Sequence, residues 1–513
     1  MNLADLVRYW GVHRPDRDAI VTAGTTESWS SVDARSDALA RGLLARGVTR
    51  GDRVGLLLLN RPEVVHLVLA ISKIGAIAVP YNFRLTAGEL APMVVDSAPS
   101  LLVTEEAFGA QLETAAGLSD VEIYSVDGGD HRDYAALIDP GTAPRVDVLP
   151  DDPAFICYTS GTTGVQKGAL ITHRNAITPG LSQTLAFGFS SRDRVLCSAP
   201  LMFTGSMLSV FVQMALVPGA ALVLLREFDP EIALEVFERE QITATTTVPV
   251  IWERVAAQPD FASRKLAQFT YAGTGGAPVS LDLLETYRSA GIPLTQAYGL
   301  TEASGMAAVL TYRDALTHPG FAGRALVGTR IQVGDPDGPA AAGEVGEILV
   351  RGEHVMREYW NKPAETAATL VDGWLRTGDL GYQDQDGLLR IVDRSKDMLI
   401  SGGINVYPAE IERALHAIEG LADYAVIGVE DATWGEVPMV VFHPDRDTQS
   451  LVADIASTAG ENLAGFKRPK YAVAMDEPLP RTFSGKLAKP SLRKRYPTAP
   501  DDALAVVRPA GRE

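Results

Sequence analysis

Hydrophobic positions in the first 125 residues switch between two periods. Leu3, Leu6, Val7 and Trp10 recur at helical spacing and share one face. Residues 53–59 are an apolar run of the kind that fills buried strands, Pro62 opens a helix reaching Ile74, and 76–81 is apolar again. Strand, helix and strand in close succession predict a parallel sheet covered by helices. Residues 128–150 hold Gly, Asp and Pro without either period and read as a surface connection. The alternation resumes at Ala154 and lasts to about Tyr298, with strands expected at 194–199, 220–225, 242–248 and 268–272 and an amphipathic helix over Pro230–Arg239.

From Val327 to Val350 the pattern becomes short β runs parted by Asp335-Pro336-Asp337-Gly338 and Ala342-Gly343-Glu344, which are turn sequences. This predicts a small antiparallel subdomain. The organisation expected is α/β: a large N-terminal domain over 1–393, built of two parallel-sheet α/β subdomains plus the small β subdomain, and a smaller α+β domain over 394–513. The latter has a helix near 408–418, a strand around 424–429 and a basic stretch with Lys489, Arg493, Lys494 and Arg495.

The chain has 513 residues, 46% of them apolar, which excludes disorder and a small stapled scaffold. With 46 Lys+Arg against 64 Asp+Glu the net charge is −18, so the surface repels phosphate backbones and a nucleic-acid partner is not expected. Cys157 and Cys197 both lie in apolar stretches and read as buried thiols, without a disulfide framework or zinc-ligand spacing. The longest apolar stretch, 205–225, is interrupted by Gln213, Pro218 and Gly219, and predicts a buried helix, a turn and a buried strand instead of an integral membrane span. Neither the first five residues nor Gly511-Arg512-Glu513 reads as a targeting signal, so a cytoplasmic location is the expectation.

One segment changes the picture. Tyr158-Thr159-Ser160-Gly161-Thr162-Thr163-Gly164-Val165-Gln166-Lys167-Gly168 follows an apolar strand and precedes a helix around Asn175. Hydroxyls, glycine amides and one ammonium in a single loop suit a polyphosphate, whose charge they can neutralise without covalent chemistry. An ordinary Ser/Thr/Gly turn is the plain alternative. A Walker loop is excluded, because that pattern requires Ser or Thr after the lysine and Gly168 stands there.

The segment resembles the signature loop of the AMP-forming adenylating enzymes, the family of acyl-CoA synthetases, luciferases and peptide-synthetase adenylation domains. Further motifs follow in the family's order: Gly275-Gly276-Ala277-Pro278, Ala297-Tyr298-Gly299-Leu300-Thr301-Glu302, Gly373-Trp374-Leu375-Arg376-Thr377-Gly378-Asp379-Leu380, Asp393-Arg394-Ser395-Lys396-Asp397 leading into Ser401-Gly402-Gly403-Ile404-Asn405-Val406-Tyr407-Pro408, and Leu479-Pro480-Arg481-Thr482-Phe483-Ser484-Gly485-Lys486. The resemblance implies ATP, Mg2+ and CoA as cofactors and a C-terminal domain that swings between two half-reactions about a hinge at Lys396. It implies that Thr159, Ser160, Gly161, Thr162, Thr163, Gly164 and Lys167 hold phosphates and that Glu302 holds Mg2+. Gly275, Gly276, Ala277, Tyr298, Gly299 and Thr301 would face adenine, while Asp379, helped by Arg394, would accept from the ribose hydroxyls. Lys486, after a glycine that permits a tight turn, would neutralise charge at the reacting centre together with Glu302 and Thr159, and Gly402 and Gly403 would border the pantetheine tunnel.

The chain departs from the family at Ala199-Pro200-Leu201-Met202-Phe203-Thr204-Gly205-Ser206. Many acyl-CoA synthetases have a histidine after this proline, and amino-acid-activating relatives have an aspartate where Thr204 stands. Without that aspartate a buried substrate ammonium would lack its partner. Phe203, Thr204, Gly205, Met207, Gly273 and Met306 would then line a largely neutral acyl pocket. The expected reaction joins a small-molecule carboxylic acid, a medium- or long-chain fatty acid or another hydrophobic monocarboxylate, first to AMP and then to CoA. Alternatives are an aryl or alicyclic acid-CoA ligase, a fatty acyl-AMP ligase delivering to an acyl carrier protein, and a nucleotide-binding sensor that lost the chemistry. A homo-oligomer is compatible with the sequence, which does not specify oligomeric state.

Overall fold

The protein is described from a computed structural model covering all residues except 114–116, 119–120, 144, 160–165, 277–278, 403, 482–485 and 507–513. The chain forms two compact units, one of Met1–Gln332, Leu349–Arg376 and Gly387–Leu389, the other of Val333–Ile348, Thr377–Asp386 and Arg390–Glu513.

The first unit contains two sheets flanked by helices. One has the strand order Glu358–Tyr359, Lys167–Thr172, Pro153–Thr159, Ile77–Pro80, Arg53–Leu57, Leu101–Thr104, Glu122–Ser125, Arg132–Asp133. The other runs Arg324–Ala325, Gly305–Val309, Leu294–Leu300, Tyr271–Gly275, Ala244–Thr247, Arg194–Cys197, Ala221–Leu224, Asp18–Val21, Thr26–Ser28. Their interiors are parallel, as the continuous apolar runs require. Antiparallel pairs occupy the margins, where Lys167–Thr172 turns back on Pro153–Thr159 and Gly305–Val309 on Leu294–Leu300. The sheets are not built from successive halves of the chain, because Asp18–Val21 pairs in parallel with Ala221–Leu224 in the second sheet.

Local signals explain the helices. Pro62 lacks a donor at a position that needs none, and Pro62–Ile74 ends where Gly75 turns left-handed at φ 72°. The Thr172 side chain caps His173–Phe187 reciprocally with Asn175. Residues 205–225 resolve into a π-type helix Gly205–Leu216, buried from Ser206 to Leu216, a turn with Gly219 at φ 74°, and the strand Ala221–Leu224. Among the described residues, no helix is long and apolar enough to cross a membrane. Burial pushes the Cys157 and Cys197 thiols up to about 12, so both stay protonated. The strand expected at 268–272 instead spans Tyr271–Gly275, since Leu266 and Phe269 spend their apolar surface on the helix-side core with Trp252 and Phe237.

The second unit carries an α+β layer. Its main sheet is ordered Ile404–Val406, Leu399–Ser401, Gly435–His443, Tyr471–Ala474, Leu504–Ala505, with Asp423–Asp431 also paired to Gly435–His443. One face is sealed by Ile411, Leu415, Leu451 and Ile455 from helices Pro408–Leu415 and Thr448–Asn462, the other by Leu492 of helix Lys489–Arg495. The smaller β region takes in Arg330–Asp335, Gly338–Pro339, Gly346–Arg351, Trp374–Gln383 and Leu389–Arg394, and the chain passes between the units inside several of these strands.

Candidate active site

In the first unit the loop rich in hydroxyls and glycines joins two antiparallel strands, in register Thr159↔Lys167 and Tyr158↔Gly168; the helix begins only at His173. Thr159 Oγ1 donates to the Lys167 carbonyl at 3.4 Å. Ser160, Gly161, Thr162, Thr163 and Gly164 lie outside the described residues. A Cβ on Gly168 would come within 2.6 Å of Ile156 and 3.2 Å of the Tyr158 ring, which explains why the hydroxyl residue of a Walker loop is not accommodated there. The Tyr158 hydroxyl donates to Asp96 at 2.7 Å and fixes the base of the loop.

Glu302 sits on the tight turn Thr301–Ala303 after strand Leu294–Leu300, ended by Ser304 in a left-handed conformation at φ 51°. Glu302 Oε1 accepts from the Tyr359 hydroxyl at 2.7 Å, and the Lys167 ammonium lies 5.2 Å from the Tyr359 ring centroid. Tyr359 arrives through the short strand Glu358–Tyr359, paired antiparallel with Leu170 and Ala169. Burial and the Glu302 charge raise its hydroxyl above the usual phenol range, so it remains a donor. Sequence reading had missed this tyrosine, because only strand pairing brings it beside two residues far away in the chain. Among the described residues, no cluster of three or more His, Cys, Asp or Glu could cage a metal. A single carboxylate near a phosphate loop fits Mg2+, which is usually held by one or two carboxylates, substrate phosphates and water.

On the neighbouring strands the register aligns Gly275 with Ala297 and Thr274 with Gln296. A Cβ on Gly275 would stand 2.5 Å from the Ala297 carbonyl oxygen, and one on Gly299 would stand 1.8 Å from that of Gly305, so backbone approaches closely at both. Gly276 is exposed and left-handed at φ 79°, Tyr298 is 6% exposed, and Ala277 lies outside the described residues. Thr247, Thr274 and Gln296 align across three strands, and each buries a side-chain oxygen without a hydrogen-bond partner. Orphaned buried acceptors near the carboxyl ends of parallel strands are what a ligand such as a nucleotide base would satisfy. Their signal in the sequence was polarity within buried strands.

The acyl-pocket candidates fall into two groups. Phe203 and Thr204 are half-buried and Gly205 is exposed, and Thr301 Oγ1 donates to Thr204 Oγ1 at 3.2 Å, linking this segment to the Glu302 turn. Met207, Met306 and Gly273 are buried. Met306 and Gly273 converge on Tyr271, whose hydroxyl reaches Met306 Sδ at 4.0 Å and would lie 2.6 Å from a Gly273 Cβ. Asn60, also missed in the sequence, clamps the proline segment by donating to Ala199 and Leu225 carbonyls at 3.0 and 2.9 Å and accepting from Leu201 N–H at 2.6 Å. The Arg84 guanidinium stands 5.7 Å from the Phe203 ring centroid, adding a cation that the expectation of a neutral lining did not include.

The second unit gathers another set. Asp379, 8% exposed, keeps Oδ1 3.2 Å from Arg394 Nε, while its N–H donates to Thr377 Oγ1 at 3.1 Å. Surrounding protein atoms lower the Lys486 ammonium below the ordinary lysine range; Arg394 adds to this and Asp379 opposes it. Its side chain still reaches solvent, whose screening damps the shift. Lys396, also solvent-exposed, is lowered to about 8 by desolvation and then by Arg394. Arg493 pairs with Asp397 at 2.6 Å and Lys489 with Glu412 at 2.7 Å, tethering the segment that follows Lys486. Gly402 is left-handed at φ 58°, donates to the Trp434 carbonyl at 2.8 Å, and leaves no room for a Cβ, which would stand 2.8 Å from the indole. Gly403 lies outside the described residues.

Comparison with known proteins bears on both units. The family described as AMP-binding enzyme matches residues 7–360, and AMP-binding enzyme C-terminal domain matches 410–486. Feruloyl-CoA synthase of an Amycolatopsis species is 37% identical over 493 residues, covering 95% of this chain and 98% of the relative. Long-chain-fatty-acid–CoA ligase FadD13 of Mycobacterium tuberculosis is 34% identical over 505 residues, with 96% and 98% covered. The solved o-succinylbenzoate CoA synthetase MenE of Bacillus subtilis, in complex with its acyl-adenylate intermediate, matches with a TM-score of 0.85 at 30% identity, covering 95% of this chain and 97% of that one.

Proposed function

The chain belongs to the AMP-binding enzyme family of adenylate-forming acyl-CoA synthetases, and from that premise we propose that it activates a hydrophobic monocarboxylate. It is an acid–thiol ligase that uses ATP, Mg2+ and CoA. A carboxylate oxygen of the acid attacks the α-phosphorus of ATP, the bond to the bridging oxygen breaks, and pyrophosphate leaves. The CoA thiol then gives up its proton and attacks the acyl carbonyl, releasing AMP. Neither step needs a side-chain nucleophile; both depend on orientation and preorganised charge.

The observation that carries this reading is the convergence of Lys167 and Glu302 on Tyr359. In it, Thr159, Ser160, Gly161, Thr162, Thr163, Gly164 and Lys167 receive the β- and γ-phosphates, and Glu302 receives Mg2+, which when bound draws charge from those phosphates. Gly275, Gly276, Ala277, Tyr298, Gly299 and Thr301 surround adenine, with the orphaned Gln296 and Thr274 oxygens as added acceptors. Asp379, preset by Arg394, accepts from the ribose hydroxyls, and Lys486 neutralises charge where carboxylate and α-phosphate meet. We assign 394–513 as the mobile domain, Lys396 as its hinge, and Gly402 and Gly403 as the border of the pantetheine path. Thr204 supplies no carboxylate, so amino acids are disfavoured.

Arg84 over Phe203 favours a second reading, an acid whose far end carries a carboxylate. A panel of fatty, aryl, alicyclic, dicarboxylic and amino acids, assayed for pyrophosphate release and then for CoA-dependent AMP formation, tests both. The expected result is turnover of uncharged-tail monocarboxylates far above amino acids. Preference for a dicarboxylate moves the assignment to the second reading, and preference for an amino acid overturns both.

A further inference from the structure

We propose that Tyr359 is a positioning residue that holds Glu302 and Lys167 apart, keeping the metal-side carboxylate and the phosphate-side ammonium open to Mg2+ and ATP; this rests on the functional reading above. The carboxylate and ammonium have opposite charge and share one neighbour, yet they do not pair with each other: Glu302 takes the Tyr359 hydroxyl at 2.7 Å and Lys167 faces the ring at 5.2 Å from its centroid. An ion pair between them would consume the groups that a metal and a phosphate need. A tyrosine can prevent this because its hydroxyl satisfies an anion at the ring edge while its face accommodates a cation.

The tyrosine is held as well as placed. Its backbone N–H donates to Thr366 Oγ1 at 3.0 Å, its strand pairs with Ala169 and Leu170, and the next residue, Trp360, donates from its N–H to the Gly168 carbonyl at 2.7 Å and from its indole to the Asp96 carbonyl at 3.0 Å. Pairing with one neighbouring strand, the Thr366 contact and the anchored Trp360 therefore fix the group that lies beside both charges.

The test is titration of the full-length protein with Mg2+ at fixed ATP, followed calorimetrically, beside ATP binding without metal. Tyr359→Phe keeps the ring and removes the hydroxyl. It should raise the half-saturating Mg2+ concentration about tenfold or more, as loss of a partner to a metal ligand does, while metal-free ATP binding, which loses only what a Glu302–Lys167 pair would withhold, falls by clearly less. A merely structural loss would weaken both titrations alike. Thr366→Val keeps the Tyr359 side chain but removes the acceptor of its backbone N–H; it should shift Mg2+ dependence in the same direction by less, and it decides the matter if Tyr359→Phe does not fold. The double variant Tyr359→Phe/Glu302→Gln should need no more Mg2+ than Glu302→Gln alone. If Glu302→Gln shifts Mg2+ dependence but Tyr359→Phe and Thr366→Val do not, or if the effects multiply in the double variant, the positioning role is wrong and the functional reading stands. If Glu302→Gln itself leaves Mg2+ dependence unchanged, the functional reading falls and takes this inference with it.

Discussion

Asp379 and Lys167 take opposite ends of ATP in the proposed reading, and their surroundings set different penalties for losing them. Asp379 is buried and braced by Arg394, so Asp379→Ala removes a charged acceptor whose bonds are each worth ~1.5–3 kcal/mol and leaves Arg394 without this partner. Lys167 sits at the edge of a loop whose sequence offers further hydroxyl and amide donors, so Lys167→Ala should cost less. The Michaelis constant for ATP in a pyrophosphate-release assay checks the order, and the reverse order removes these roles. Lys396 offers a second residue-level test. With its pKa lowered to about 8, half of it is neutral amine at pH 8. An ordinary lysine near 10.4 is then ~0.4% neutral, an advantage of about 10² that vanishes above pH 10.5. Trace acylation followed by peptide mapping should find Lys396 labelled ahead of an added Nα-acetyl-lysine amide standard at pH 8, with the advantage lost at high pH.

Between elements, the clearest clamp joins two helices of the first unit. Lys73 of Pro62–Ile74 is wholly buried, and its ammonium meets Asp33 at 2.5 Å and Asp37 at 2.6 Å, both on helix Trp29–Ala45. Lys73→Met strands two carboxylates and should destabilise this unit by ~3–5 kcal/mol, read as a lowered urea midpoint. Gly299→Ala should separate Leu294–Leu300 from Gly305–Val309, since the new methyl would stand 1.8 Å from a carbonyl oxygen; lower ATP affinity with a lower melting temperature is the expected pair of readouts. Elements with punctuation of their own were legible in the sequence: Pro62–Ile74 and Pro230–Arg239 begin at prolines that need no donor, and both match the expected spans. Elements defined by a partner were less so. The strand after Lys167 carries no turn signal of its own and exists because it folds back on Pro153–Thr159. The site divides in the same way: Glu302, Asp379 and Lys486 announce themselves by motif, whereas Tyr359, Gln296 and Asn60 gain their roles only from neighbours distant in sequence.

For the whole molecule, the proposed domain alternation predicts a split between half-reactions. If Lys486 serves adenylation alone, Lys486→Ala should slow acyl-adenylate formation ~10²-fold or more, as removal of a preorganised charge stabiliser does, yet convert preformed acyl adenylate and CoA to thioester at a near-normal rate. Lys396→Pro should produce the complementary defect by restricting the rotation a hinge must absorb. Quenched-flow measurement of both half-reactions decides it, and equal loss of both in Lys486→Ala would show one fixed site performing the whole reaction.

The pairing of Asp18–Val21 with Ala221–Leu224 also imposes a schedule on synthesis at the ribosome. The later strand begins 221 − 21 = 200 residues after the earlier one ends. At about 5–20 residues per second the nascent Asp18–Val21 segment waits roughly 10–40 s for its partner, with Ala19, Ile20 and Val21 uncovered. Tyr359 follows its partner Ala169 by a further interval of 359 − 169 = 190 residues, so it is among the last parts of the first unit to be made. A stretch of slow codons before residue 221 prolongs the time an apolar strand stands open to other chains, whereas one between residues 310 and 359 leaves that strand covered and delays the arrival of Tyr359 beside Ala169.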